Sequence, residues 1–441
     1  MIKMAKAKKI TAALTAALMC AGTLTGCSDT SYAMTVGSDK VNAGIYIYNI
    51  LSEMSYQMTM MYYQDGVTKD YFDQKVDGKD FADYLSDYAL TATKEYAAVV
   101  DKFNELGLEL SEDDLKEVND TVNDTWESQG DFYEAEGISK ESVKLAQKAS
   151  KMRDMLFDYY YAEGGEEAVS DDEMVKYIDD NYLRYKSISI SKSSSEDSSS
   201  QSAEDDKAKA TRDEFLDKAQ GVSFEDFDSI IDEYNDYVAA QSAEDNSSTA
   251  VSDSSGVSDD TSSVSESDTD SSSVSDDMSS VSDSTVSDDS AADSEAVSDS
   301  ESVVDVSTAD DSTADSSSEP DPYANENMYN YGAMDDEQKD STSGKLMTEI
   351  EKLETDVATA YEDDNAYYIL IRGDITERDK EYAEENHDNL LGEMKSDEFQ
   401  EKITSWVEKL KITVNSKAIK RYTPKAVYDK QTEYYEKNRT T

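Results

Sequence analysis

Several things are scarce in this sequence. Two cysteines, Cys20 and Cys27, in 441 residues exclude a disulfide framework and a cysteine-rich metal site. A single histidine, His387, excludes a His/Cys metal set and leaves Ser-His-Asp chemistry without support; it is expected as a solvated residue on a C-terminal helix. Prolines number three, none before Pro320, so the N-terminal half is free to run as long helices. Basic residues are outnumbered 41 to 99, giving a formal net charge of −58. Such a balance argues against nucleic acid as a partner and against electrostatic attraction to anionic lipid, so that a lipid anchor must do the membrane binding. Neither a GxxxxGK[ST] phosphate loop nor a GxSxG nucleophile elbow occurs, and no cofactor is implied. What is abundant is tyrosine, with 30 residues, and methionine, with 16.

At the N-terminus, Lys3, Lys6, Lys8 and Lys9 precede an apolar run from Ile10 to Leu24, the layout of a secretory signal. About 15 apolar residues are too few for a membrane-spanning helix, which takes about 20. The run ends in Leu24-Thr25-Gly26-Cys27, which resembles the lipobox of bacterial lipoproteins. The expectation is a signal peptide over 1–26 and a lipidated Cys27, palmitate included, tethering the chain to the extracytoplasmic face of the cell membrane. Cys20 would leave with the signal, so the mature chain could form no internal disulfide.

Helical periodicity follows. A helix from about Asn42 carries Ile47, Ile50, Leu51, Met54, Met58 and Met61, and a second carries Phe81, Leu85, Tyr88, Ala92, Tyr96, Val99, Phe103 and Leu106 up to Gly107. Ser111 with Asp114 predicts a capped third helix through Leu115, Val118, Val122 and Trp126, ending at Gly130. A fourth runs from Ser139 to the Gly164-Gly165 break, and Ser170 with Glu173 opens a short fifth. Leu183 to Ser191 alternates like a strand, with Ile188 and Ile190 on one face. Residues 192–206 and 241–320 are polar, Ser/Asp-rich tracts expected to be disordered, with helix resuming at Lys207 between them. The longer tract has no EF-hand ligand loop. A short helix over Leu346–Leu353, a strand over Ala366–Arg372, a long helix from Arg378 through Trp406 and a closing strand at Lys411–Val414 complete the reading.

In this order the blocks resemble the PrsA/SurA-like extracytoplasmic foldases. Val36-Gly37-Ser38-Asp39-Lys40-Val41 looks like the opening strand and turn, and Gly107-Leu108-Glu109-Leu110-Ser111 like the joint between helices. Val169-Ser170-Asp171-Asp172-Glu173-Met174 with Asn181-Tyr182 looks like the helix leading into the isomerase domain. Lys207 to Phe227 is similar to the first parvulin helix, and Leu353 to Arg372 to the last parvulin strands. The resemblance implies a mainly α fold with a small α+β domain: a helical chaperone domain over 27–182, a parvulin-like α+β domain over 183–375 interrupted by the two polar tracts, and a C-terminal helix and strand over 376–441 packing on the first. It also implies prolyl cis-trans isomerase activity, which in this family uses a histidine in the first strand and another in the last. Here those positions hold Ser187 and Tyr368, and Met334, in Tyr331-Gly332-Ala333-Met334, lies at the proline-pocket methionine. The domain is therefore expected to be degenerate.

The function expected is that of a membrane-anchored foldase or holdase for unfolded secreted proteins. Met60, Tyr62, Tyr63 and Tyr160 are the candidate client contacts, because thioethers and amphipathic rings re-pack against varied partners. Met54, Met58 and Met61 are expected in the core. The alternatives are an active isomerase of the same architecture, and a structural surface lipoprotein whose Ser/Asp tract is a spacer.

Overall fold

The computed structural model describes residues 30–193, 198–249 and 323–438. Cys27, the expected signal segment and residues 250–320 of the longer tract lie outside them. The chain forms two units, one of Met1–Ser170 with Asp388–Thr441 and the other of Asp171–His387.

The first unit opens with β1 (Tyr32–Val36) and β2 (Asp39–Asn42), turned at Gly37, whose φ of 59° an L side chain rarely adopts. Asn42 caps α1 (Ala43–Asp65) by accepting from the Gly44 N–H, and Gly66 ends it in the left-handed region. A hairpin of β3 (Lys75–Val76) and β4 (Lys79–Asp80) turns on Asp77-Gly78, both at positive φ, the two-residue geometry this dipeptide favours. Then come α2 (Phe81–Leu106), α3 (Glu112–Glu136) and α4 (Lys140–Tyr161). The Ser111/Asp114 capping box is present. Helix α3 does not stop at Gly130 as expected: that glycine lies under the Trp126 indole, and Gly137, at φ 90°, makes the stop. On α2 the inward stripe is Phe81, Leu85, Ala89, Thr93, Ala97 and Val100, with Tyr88 turned outward. Met54 and Met61 are buried and Met58 packs beside them, in a core with Ile47, Ile50, Leu85, Val118, Val122 and Phe132.

The second unit starts at α5 (Asp171–Asn181) and runs into β5 (Tyr182–Ser191). Two helices follow, α6 (Ser198–Ala219) and α7 (Asp228–Thr249). Both reach into tracts expected to be disordered. Lys207 on α6 donates to the Gln241 side chain and Thr211 meets the Tyr237 hydroxyl, so the two helices brace one another beyond their apolar stretch. The chain returns as β6 (Asn327–Asn330), α8 (Asp336–Asp340), α9 (Thr342–Lys352), β7 (Thr359–Glu362) and β8 (Ala366–Arg372). The antiparallel sheet is ordered β6-β5-β8-β7. Ile188, Ile190, Tyr367, Ile369 and Ile371 meet Phe215, Phe224, Phe227, Ile230 and Ile231 on one face, while Leu183 and Leu370 meet Met347 and Ile350 on the other.

The long helix expected from Arg378 is two, α10 (Asp379–Glu385) and α11 (His387–Lys409), broken at Asn386. Helix α10 packs on α5, and its Tyr382 ring lies 5.6 Å from that of Tyr182 at the start of β5. The two compact units divide at 170/171 and 387/388, whereas the resemblance put the joints at 182/183 and 375/376. Helix α11 returns to the first unit, where Phe399 meets Phe157 edge-on at 5.3 Å. Strand β9 (Ile412–Val414) then pairs with β1, making the order β2-β1-β9. Two helices that the sequence reading missed close the chain, α12 (Ser416–Arg421) and α13 (Pro424–Asn438). Overall the protein is mainly helical with small antiparallel sheets.

Candidate functional site

Two surfaces carry the candidate residues. The first is the outer face of α1. Ser52, Ser55, Tyr56, Thr59, Tyr62 and Tyr63 recur at three- and four-residue spacing and are all exposed, Tyr63 to 76% and Tyr62 to 52%. No charge appears on this stripe. The one carboxylate in the segment, Glu53, is turned inward, where it accepts from Gln57 Nε2 at 2.9 Å and from the Tyr84 hydroxyl at 2.7 Å. Burial first, and then that hydrogen bond, raise Tyr84 above the usual phenol range, so it remains a donor. Tyr62 and Tyr63 meet edge to face at 5.2 Å. They wall a groove of about 340 Å³ with Ser55, Met58, Thr59, Tyr71 and, from α13, Gln431. Met60 is half-buried at its side.

Tyr160 does not join this surface. It is buried on α4 against the Trp406 ring of α11, at 6.0 Å, because α11 covers the side of α4 that would otherwise face solvent. Tyr161 is also buried, and Tyr159 is the half-exposed member of the trio. Tyr160 borders a separate cleft of about 480 Å³, in which Lys402 donates to both Glu167 oxygens at 2.8 Å. Lys395 beside it holds the Glu398 carboxyl down at about 2.

The second surface is one face of the β5/β8 pair. Ser187 stands opposite Leu370 and Ser189 opposite Tyr368, so Ser187 and Tyr368 are diagonal neighbours on one face. Met334 packs into the same cluster with Tyr185, Tyr329, Tyr331 and Tyr361. Asn330 positions it by accepting from the Ala333 N–H, and Gly332 fits only because it lacks a Cβ, which would meet the Asn181 side chain. The Tyr368 hydroxyl donates to Asp363 Oδ2 at 3.1 Å, and burial, then the Asp363 charge, push the phenol up to about 12. Burial does the same to Tyr185. These phenols can donate hydrogen bonds and offer ring faces, but a proton relay near neutrality is beyond them.

Behind the sheet lies a network the sequence reading did not single out. The Arg184 guanidinium, almost wholly buried, reaches Glu326 and Glu225 at 2.9 Å and Glu377 at 3.1 Å, and lies over the Phe224 ring. Lys186, also buried, donates to Asp228 Oδ2 at 2.9 Å and to the Phe224 carbonyl at 3.1 Å. Strand parity would have revealed both, since Arg184 and Lys186 share the face of Ile188 and Ile190 and cations there need partners. His387 is half-buried at the start of α11, apart from both surfaces in sequence and element. Among the described residues no group of three or more His, Cys, Asp or Glu could hold a metal ion, and no helix is long and apolar enough to cross a membrane.

No known protein-family profile matches the chain, and no curated protein matches it. Among solved structures it is similar to the foldase protein PrsA from Lactococcus lactis, at 9% identity over 89% of this chain and 97% of that one, with a TM-score of 0.29.

Proposed function

We propose that this protein is a lipid-anchored extracytoplasmic holdase of the foldase type, tethered through Cys27, which binds unfolded secreted chains along the outer face of α1. The observation that carries the reading is the uncharged Ser/Thr/Tyr stripe from Ser52 to Tyr63 on a chain whose net charge is −58. A solvated helix face in so acidic a protein would ordinarily carry carboxylates. Here the single one is folded inward, and what remains outside is aromatic area with adaptable hydroxyls, a composition suited to contacting varied polypeptides at low entropic cost.

The second unit is read as a degenerate parvulin-like domain. The proximity of β5 and β8, with Ser187, Tyr368 and Met334 on one face, supports the family likeness. Against catalysis stand the missing imidazoles and the tie of the Tyr368 hydroxyl to Asp363. Prolyl isomerisation needs a preorganised pocket for a twisted imide, and its barrier is ~18 to 20 kcal/mol.

The test uses the chain from residue 28 onward, which keeps every described residue. It should suppress aggregation of an unfolded client, and Tyr62→Ser with Tyr63→Ser should raise the amount required by about fivefold or more, roughly 1 kcal/mol of client affinity. Both side chains are exposed, so the fold should be unaffected. Unchanged suppression by the double variant would remove α1 as the client surface. Isomerisation of a proline peptide within about tenfold of an active parvulin, ~1.4 kcal/mol in barrier, would overturn the degenerate reading.

A further inference from the structure

Basic side chains are few in this chain, yet six collect in one stretch. From Lys409 to Tyr428 stand Lys409, Lys411, Lys417, Lys420, Arg421 and Lys425, with no aspartate or glutamate between them. All six are exposed. In a protein whose acids outnumber its bases 99 to 41, a local reversal of sign marks a surface with its own partner.

The fold brings the middle of this run to the N-terminal end of the described chain. Val414 of β9 pairs with Met34 of β1. Asn415 donates its backbone N–H to the Ala33 carbonyl at 2.8 Å and its side-chain amide to the Tyr32 carbonyl at 2.9 Å. Arg421 Nη1 donates to Thr30 Oγ1 at 3.1 Å. Thr30 is three residues beyond Cys27, and three residues of fully extended chain reach ~11 Å at most. On α12, Ala418 is buried while Lys417, Lys420 and Arg421, spaced three and four apart, share the outer side. Among the described residues none of these three takes part in a salt bridge, whereas Lys425 pairs with Asp429.

We propose that the outer face of α12, with Lys425 at the start of α13, is a docking surface for the anionic phospholipid headgroups of the membrane to which Cys27 tethers the chain. The proposal rests on the lipid anchor of the preceding section. Acyl chains supply the retention and the basic face supplies the orientation. Arg421, held at Thr30, is tethered within ~11 Å of the anchored cysteine, comparable to a Debye length of ~8 to 10 Å, and Lys417 and Lys420 share its side of α12, while the acidic remainder of the surface is repelled. Net charge alone concealed this, because the sum over the chain says nothing about where its few cations gather.

The experiment uses the lipidated full chain, reconstituted into vesicles of neutral phosphatidylcholine or of phosphatidylcholine with about one-third phosphatidylglycerol. Flotation checks the anchor, and lysine acetylation rates are then read residue by residue by mass spectrometry. Lys417, Lys420 and Lys425 should acetylate about threefold or more slowly on the anionic vesicles only, and ~0.5 M salt should abolish the difference. Lys69 and Lys116, exposed on the same unit, are the controls. Equal rates on both vesicles, or equal slowing of the controls, would overturn the docking surface and leave the anchor standing. A chain that fails to float with either vesicle would remove the anchor, and the docking surface with it.

Discussion

Glu136 is a carboxyl at the end of α3 that is buried to 98%, with no hydrogen-bond partner on either oxygen among the described residues. Burial pushes it up to about 7, and the Lys430 charge on α13 opposes this only in part; that ammonium is itself donating to the Ala135 carbonyl. The folded pKa therefore lies above the ordinary 4.5 of the unfolded chain. Between those values the unfolded state has released its proton and the folded state has kept it, so stability falls as pH rises from about 4.5 to about 7, and the penalty is complete above that. Its upper bound is about 3 kcal/mol. Glu136→Gln should flatten that slope and be more stable than the parent at pH 8 by about 1 to 2 kcal/mol, with little difference at pH 4.5. Denaturant melts at the two values check this, and parallel pH dependences would refute it. Nothing in the primary structure marks this residue: at its position on α3 it reads as one more acid on a polar helix end, and α13, itself unforeseen, packs against that helix.

At the level of elements, the Arg184 network fixes where the chain re-enters the second unit. Glu326, just before β6, is as buried as Arg184, and its other cation, Arg378, stands 3.5 Å away. Arg184→Met should destabilise the second unit by about 1 to 3 kcal/mol, because it removes the short hydrogen-bonded partner of buried Glu326 and leaves only the longer contact to Arg378. Adding Glu326→Leu should recover part of that loss. Equal unfolding midpoints for the single and double variants would show that the ion pair is not what holds β6 to β5. The elements legible in sequence were those with strong periodicity or an explicit cap, such as α1, α3 with its Ser111 box, β5 and β8. Strands β6 and β7 are four residues each and were invisible because so short a segment has no period to read. The β3/β4 hairpin was legible in Asp77-Gly78 and overlooked. Of the candidate site, the exposed rings at Tyr62 and Tyr63 could be read from an amphipathic helix, whereas the burial of Tyr160 depended on α11, more than two hundred residues away in sequence.

For the whole molecule, the decisive fact is nesting: the second unit is inserted between the two parts of the first. A chain ending after residue 410 lacks β9, α12 and α13, so β1 loses a neighbour and the core loses Val427 and the flanking Tyr428 and Tyr434. Amide exchange should then lose protection throughout the first unit, by several kcal/mol of opening free energy on the order of global unfolding, while Asp171–His387 keeps its own. Protection retained in α1 and α2 would refute this dependence. The same nesting sets a schedule. Met34 pairs with Val414, 380 positions later, and a chain synthesised from its N-terminus presents β1 long before β9 exists. At about 5 to 20 residues per second that interval is roughly 20 to 80 seconds. The entropy of closing so long a loop grows only logarithmically, so what the arrangement costs is time. Throughout it, one edge of β1 and the part of the core that Val427, Tyr428 and Tyr434 complete stand uncovered.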